Sequence, residues 1–347
     1  MYSFCPSDYL AIRSAPEILQ LTFDSEESVD YYKTFERSLS HFFDAERMLY
    51  FPDGYLALVA LLRDLIQEDD WILIPPETDG AIVDVLEIIE RQCESARIET
   101  LTEKCWEKIP ETVSRIVILA SGICETYGKI APIDEWSARL EAIHAQHGIS
   151  GMIILDDSLG VGLLGEHYRG TFEHFGVLPN REPNAQASVQ YFFSGSFSDA
   201  FGASGGFIVG DRKWLRVMRR HEPCCCSWSE IPLSSIVAGL KALELAAEPE
   251  RHEILRKNVQ FLAEKLTEAG ITFQSNPFLP FILVKVPNPK ETLKVLEARG
   301  CRVGLTHFTK KPQFCISVTA AHQPMEIEFL VKTLAEVLHE CEEKKRR

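Results

Sequence analysis

The feature that most restricts this chain is an alternation of two periods. Short unbroken apolar runs, Trp71 to Ile74, Arg115 to Ala120, Met152 to Leu155 and Gly206 to Val209, share the first two-thirds of the sequence with stretches of helical spacing, Ala81 to Ile89 and Asp134 to His147. A strand with no polar alternation is buried on both faces, and strands separated by helices build a mainly parallel sheet covered by those helices. From Pro232 to Gly270 the pattern is helical with few breaks. Strand candidates at Phe281 to Val286, Cys301 to Leu305 and Phe314 to Val318 then share the remainder with helices near Lys290 to Arg299 and Met325 to Glu342. The expected architecture is α/β: an N-terminal arm over 1–35, a large domain over 36–245 and a small C-terminal α+β domain over 246–347. A chain of 347 residues is long enough for such a large core and a smaller one.

Charge narrows the partners. The 36 basic and 51 acidic residues give a formal net charge of -15. Such a surface repels nucleic acid and anionic lipid, so no nucleic-acid partner is expected and any membrane association is indirect. No run approaches the roughly 18 apolar residues that a membrane helix needs. The apolar window from Tyr55 to Leu62 meets Arg63 and Asp64 at once, and the opening Met1-Tyr2-Ser3-Phe4 has no basic start or apolar run of a signal peptide. The ten cysteines form no CxxC pair, and Cys224, Cys225 and Cys226 are adjacent, which suits neither a shared tetrahedral metal nor a disulfide framework. Free, mostly buried thiols in a reducing compartment, with no metal site, are expected.

The densest motif follows the strand at Met152 to Leu155. Two acids, Asp156 and Asp157, lead into Ser158-Leu159 and then into glycines at 160, 162, 165 and 170. The GxGxxG spacing suggests dinucleotide binding only if it follows a strand directly and opens a helix. Here Asp156 to Leu159 intervene, and Glu166-His167-Tyr168-Arg169-Gly170 does not begin like a helix, so the context speaks against a nucleotide.

The same residues resemble the alpha-oxoamine synthase family, pyridoxal-phosphate enzymes that condense an amino acid with an acyl-CoA. Further segments match in the family's order. Phe35-Glu36, Leu39-Ser40, Phe42 and Glu46 resemble its first long helix, and Phe51-Pro52-Asp53-Gly54-Tyr55 resembles its FxSGY turn beside the cofactor phosphate. Gly128-Lys129-Ile130-Ala131-Pro132 resembles its GDIAPL segment. Gly195 to Gly202, followed by Ser204-Gly205-Gly206, resembles its cofactor-lysine loop, and Thr319-Ala320-Ala321-His322 its TAAH segment. The resemblance covers about residues 7 to 340. It implies a fold-type I aminotransferase-like fold and dimers with active sites at the interface.

It also implies that the chemistry is missing. The family's cofactor lysine, which forms an imine with pyridoxal phosphate, falls at Asp199, where a carboxylate can form none. The histidine that stacks on the cofactor ring falls at Leu159, and the arginine that pairs with the substrate carboxylate at Cys315, which lacks both charge and the fork of donors. A second ring-facing histidine region reads Asp79-Gly80-Ala81-Ile82, and the serine of the phosphate turn is Asp53. Asp156 alone keeps the family's cofactor residue, the partner of the pyridine nitrogen; the plainer reading is a capping acid at a strand end. No catalytic residue is expected in this chain, and it is expected to hold no cofactor covalently.

One branch of the family lacks the lysine: the first long-chain-base subunit of serine palmitoyltransferase. Ser158-Leu159 in place of Ala-His, the run Leu164 to Gly170 and the stretch Phe172 to Gly176 resemble that subunit most. The resemblance implies a heterodimer with a lysine-bearing catalytic subunit, which carries the pyridoxal phosphate and condenses serine with palmitoyl-CoA at the cytoplasmic face of the endoplasmic reticulum. Two departures stand out. No membrane helix precedes Asp8-Tyr9-Leu10, and the acidic segment Leu21 to Tyr31 replaces the subunit's glycine-rich loop. The expected interface residues are Ser204, Gly205 and Gly206, with Ser227 and Ser229 in the Ser227 to Pro232 segment; ordinary loops are the plainer reading. The alternatives are a structural or regulatory homodimer, or an independent acyltransferase with Cys315 or the Cys224 to Cys226 run as nucleophile and His322 or His221 as base.

Overall fold

The computed structural model describes residues 1–5, 8–13, 15–19, 31–45, 48–78, 80–93, 96–110, 113–177, 188–221, 232–306 and 311–346. The large sheet holds seven strands: β2 (Met48–Phe51), β3 (Asp70–Ile74), β4 (Arg97–Thr100), β5 (Arg115–Ser121), β8 (Ser150–Asp156), β9 (Val189–Ser196) and β10 (Gly206–Val209). Their spatial order is β2-β10-β9-β8-β5-β3-β4. All pairings are parallel except those of β10, which runs antiparallel to both β9 and β2. β6 (Ile123–Cys124) and β7 (Lys129–Ile130) form a short antiparallel pair beside it.

The central strands show why an unbroken apolar run is needed. Along β5, Ile116, Ile118 and Ala120 enter one core while Val117 and Leu119 enter another. Along β8, Ile153 and Leu155 face the first and Met152 and Ile154 the second. Each large side chain so buried contributes about 1.5–3 kcal/mol of transfer free energy. Helices α3 (Gly54–Leu65), α4 (Gly80–Gln92) and α8 (Arg212–His221) cover the second face through Leu58, Leu61, Ile82, Val85, Leu215 and Met218. Helix α5 (Ile133–His147) covers the first through Trp136, Leu140 and Ile143, and stops at Gly148, whose φ of 71° is the left-handed cap that glycine supplies. Helices α2 (Tyr31–Phe42), α9 (Leu233–Ala246) and α10 (Pro249–Glu268) share that first core; α1 (Pro16–Leu19), α6 (Thr171–His174) and α7 (Phe197–Ala200) are single turns.

The smaller sheet has the order β1-β13-β14-β12-β11, from β1 (Tyr2–Phe4), β11 (Phe273–Ser275), β12 (Phe281–Val284), β13 (Cys301–Leu305) and β14 (Phe314–Ser317). Helices α11 (Pro289–Ala298) and α12 (Pro324–Arg346) complete this unit. An arm simply laid on the body is therefore a correction to make: Tyr2 to Phe4 pair in parallel with Cys301 to Val303 as an edge strand. Leu245 falls in the last turn of α9, and α10 begins at Pro249. Among the described residues, seven cysteines are free, and no helix is long and apolar enough to cross a membrane.

Candidate functional site

The carboxyl ends of β2, β9 and β8 and the start of β10 lie along one edge of the large sheet, and they carry most of the residues singled out in the sequence. Asp156 is the last residue of β8. Its Oδ1 accepts the Ser158 hydroxyl at 2.6 Å and the Ser158 N–H at 3.2 Å. The surrounding protein strips it of water and raises its pKa above the ordinary value, although Ser158 eases the shift. On the neighbouring strand, Ser196 caps α7, with its Oγ accepting the Ser198 N–H at 3.1 Å. One turn on comes Asp199, whose carboxyl is pushed up to about 6, first by desolvation and then by the charge of Asp156. The Ser198 hydroxyl and Arg13 oppose the rise. Both carboxylates remain partly exposed, so they line an opening rather than a sealed core.

Across this opening stand three residues from other parts of the chain. Tyr9 is 1% exposed, and the Ser317 hydroxyl lies beside its own. Burial holds its ionisation well above the ordinary range, and the charges of Glu125, Cys315 and Asp199 add to that. Cys315, from β14, donates its thiol hydrogen to Glu125 Oε1 at 3.2 Å. Thus Asp199 and Cys315, far apart in sequence, both come near Tyr9, Cys315 also meets Glu125, and Asp156 lies near Asp199. Sequence reasoning passed over Tyr9 and Glu125; an isolated tyrosine and glutamate in loops carry no signal. Leu159 is half-buried and packs between two apolar clusters.

Asp53 does something different. It is the N-cap of α3, and its Oδ1 accepts the Leu56 N–H at 2.8 Å. Helix N-termini bind anions because their free N–H groups and dipole favour negative charge. In this chain that pole is already occupied by a carboxylate of its own.

Pyridoxal phosphate does not fit these residues. There is no amine at 199 to form an imine, two carboxylates with raised pKa line the opening, and Asp53 fills the helix pole that would receive a phosphate. Asp79, Ser227, Ser229 and the Cys224 to Cys226 run lie outside the described residues, as do the 21–30 segment and the side chain of His221.

The other expected site residues have local explanations. Ser204 is exposed. Gly205 has a φ of 130°, which L side chains rarely adopt, and a Cβ on Gly206 would collide with the backbone of Asp53 and Gly54. Both glycines are thus required by the close approach of β10 to the phosphate turn within one chain. Cys315 with His322 does not fit the cysteine-nucleophile reading; the Cys224 to Cys226 run and the His221 side chain lie outside the described residues. Cys315 is 1% exposed, and burial together with Glu125 drives its thiol far above the ordinary range. His322 stacks on Phe4 with centroids 4.4 Å apart. Its Nδ1 accepts the Thr319 N–H at 2.9 Å and its Nε2 faces the Ser3 carbonyl at 3.0 Å, so no ring nitrogen is left to act as a base.

A second buried acid sits behind the opening. Asp157 is fully buried, accepting the Thr171 N–H at 2.7 Å on Oδ2 and the Thr171 hydroxyl at 2.5 Å on Oδ1. A Cβ on Gly122, Gly160 or Gly170 would collide with its carboxylate. The glycine-rich run is therefore a cradle for Asp157 that ties the loops after β5 and β8 to the start of α6. Desolvation lifts this carboxyl to about 7.

Comparison with known proteins agrees with this geometry. Residues 20–334 match the family described as aminotransferase class I and II. A putative 8-amino-7-oxononanoate synthase of Bacillus licheniformis is 27% identical over 314 residues, covering 87% of this chain and 77% of the relative. The 8-amino-7-oxononanoate synthase of Hydrogenovibrio crunogenus is 24% identical, covering 87% and 75%. Among solved structures, Sphingomonas wittichii serine palmitoyltransferase superposes with a TM-score of 0.79 at 20% identity, covering 96% of this chain and 86% of the other. An 8-amino-7-oxononanoate synthase from Francisella tularensis gives 0.77 at 18% identity, covering 98% and 99%. The fold is that of the fold-type I pyridoxal-phosphate enzymes. The chain belongs to the aminotransferase class I and II family.

Proposed function

We propose that this chain is the non-catalytic member of an alpha-oxoamine synthase heterodimer, paired with a lysine-bearing subunit that holds the pyridoxal phosphate. The observation that carries the reading is Asp199: a carboxylate stands at the lysine position, with its pKa raised to about 6 by burial and Asp156. A chain with such a site forms no imine, yet it keeps the fold on which family members build their dimers. The stretch from Asp157 to Gly176 resembles the lysine-less subunit of serine palmitoyltransferase, so we take the pair's reaction to be condensation of serine with palmitoyl-CoA. The pair would work at the cytoplasmic face of the endoplasmic reticulum, held there by the partner. The exposed Ser204 then belongs to the contact with the catalytic subunit, and Ser204→Trp tests this through partner binding. A second reading has specific support: the sequence relatives bear the name 8-amino-7-oxononanoate synthase, which favours a partner of that kind.

Absorbance spectroscopy tests the proposal. The purified chain with added pyridoxal phosphate is expected to show no imine band. Mixed with a lysine-bearing partner, it should give a serine-responsive band and condensation activity. An imine band and turnover in the chain alone would overturn the proposal. A stable homodimer that no lysine-bearing subunit joins on copurification from the native source would replace the heterodimer with a structural or regulatory role.

A further inference from the structure

β3 and β5 are neighbours in the large sheet, yet the chain leaves them in opposite directions. From β3 it crosses through α4 on the second face to β4; from β5 it crosses through α5 on the first face to β8. Connections that part in this way leave a crevice beyond the carboxyl ends of the two strands, the usual place for a ligand in an open α/β sheet. Here the crevice is a cavity of about 340 Å³, reached by Pro75 and Glu77 after β3 and by Ala120 and Ser121 at the end of β5. That volume lies in the small-ligand range of roughly 300–1,000 Å³. Asp53, Asp156, Asp199 and Cys315 do not line it, so it is not the degenerate cofactor site.

The chemistry of the lining selects the guest. Two tryptophans and three prolines make much of the wall. Trp136 comes from α5 and is 8% exposed; Trp106 is half-buried in the 3-10 turn Glu103–Glu107 that follows β4. Two bases stand at the rim, and each is already matched by an acid. Lys129 Nζ donates to Glu77 Oε1 at 2.6 Å, and Arg139 Nη2 donates to Glu103 Oε2 at 2.8 Å. One acid is left over: Glu135, exposed in the first turn of α5, has no ion-pair partner among the described residues. The Trp106 ring already attracts a cation, since the Arg139 guanidinium carbon lies 5.5 Å from its centroid.

From this arrangement we infer that the cavity is a binding site for a small quaternary ammonium ion of the choline class. Such an ion has no N–H groups, so a wall of indole and proline leaves none of its donors unsatisfied. Its charge is spread over methyl groups that pack on aromatic faces, which is how aromatic cages hold quaternary ammonium groups. Glu135 supplies the counter-charge at the mouth. An anion is the poorer guest, because Lys129 and Arg139 would have to leave Glu77 and Glu103 to meet it. A primary ammonium is poorer too: its three donors would face a largely apolar wall and lose the hydrogen bonds that water gives them.

The test is isothermal titration calorimetry of the full chain with choline and with 3,3-dimethyl-1-butanol, an alcohol of the same shape without the charge. Choline should bind saturably, and the alcohol at least about tenfold more weakly. Trp106→Ala should weaken choline binding about fivefold or more, and Glu135→Gln about twofold to fivefold. Neither side chain is fully buried, and tryptophan fluorescence of the variants checks that they fold. No saturable heat with choline would overturn the inference, and so would equal binding of the alcohol, which would mark a merely apolar hollow. Because that comparison uses the unaltered protein, a variant that fails to fold does not blunt the test. The outcome is independent of the heterodimer: a chain that binds choline without recruiting a partner sinks only the latter, and a paired chain blind to choline sinks only the former.

Discussion

Asp157 makes the stability of this protein depend on pH in a direction opposite to the usual one for a carboxylate. Its pKa rises from an ordinary 3.8 in the unfolded chain to about 7 when folded, because burial among Gly122, Gly160 and Gly170 outweighs the two hydrogen bonds from Thr171. The folded state therefore holds its proton where the unfolded state has lost it. The stabilisation is fully present below the unfolded value and is lost as pH rises through the folded one. Ionising the group costs folding about 1.7 kcal/mol at pH 5 and about 4.3 kcal/mol at pH 8, a difference of about 2.6 kcal/mol across that window. Asp157→Asn removes this dependence and keeps the shape: the amide oxygen accepts the Thr171 N–H, and the amide nitrogen donates to the Thr171 hydroxyl. Urea unfolding of both proteins at pH 5 and pH 8 should thus show the variant gaining on the wild type by about 2–3 kcal/mol as pH rises. Equal pH dependence in the two proteins, or a variant that loses ground at pH 8, would show that Asp157 folds as a stable anion and that the cradle argument is wrong.

Three further outcomes are expected. Arg115 holds Asp70 through Nε at 2.9 Å and Nη2 at 2.6 Å and also reaches the Leu65 carbonyl at 2.6 Å, so Arg115→Met strands a buried carboxylate; unfolding should register a loss of about 3–5 kcal/mol, much of it recovered when Asp70→Leu is added. Asp53→Ala removes the cap of α3 and should cost about 0.5–2 kcal/mol by chemical denaturation. Asp199→Lys should still give no imine band with pyridoxal phosphate at micromolar concentration, whereas the Asp53→Ser, Asp199→Lys double variant should bind it more tightly, as seen by absorbance. Equal affinity in the single and double variants would show that Asp53 does not obstruct a phosphate.

The sequence was most legible where burial alone decides the structure. β10 and β13 run over the same residues that the apolar runs mark, and β5 and β8 extend theirs by one or two residues at an end. Runs of that kind can only be central strands or buried helices, and their length decides between the two. The strands that escaped notice include β2, β9, where Gln190, Ser194 and Ser196 interrupt the apolar run, and two at sheet edges. Arg97 to Thr100 is an edge strand with a polar face, and Tyr2 to Phe4 is too short to read without its neighbour at Cys301 to Val303. At the site, Asp156 and Asp199 stood out because strand ends and loops place chemistry in predictable spots. Tyr9 and Glu125 did not, since only the folded chain brings them beside Cys315. The GxGxxG spacing was legible as a pattern and misleading as chemistry: its Gly160 makes room for the buried Asp157 carboxylate and its Gly165 for that of Glu173, not for a pyrophosphate.

The replacements at the site share a direction. Asp53 puts a negative charge at a helix pole, Asp199 puts one where the family's imine forms, and Cys315 withdraws a positive charge beside Glu125. Random erosion of a pocket would leave small or apolar residues that let it collapse, and the result would be a sealed core. Here Asp156 and Asp199 remain partly exposed, and the charge of Asp156 raises the pKa of Asp199. Keeping two desolvated carboxylates at the ends of β8 and β9 opposes folding, more so as pH climbs past about 6, where Asp199 ionises.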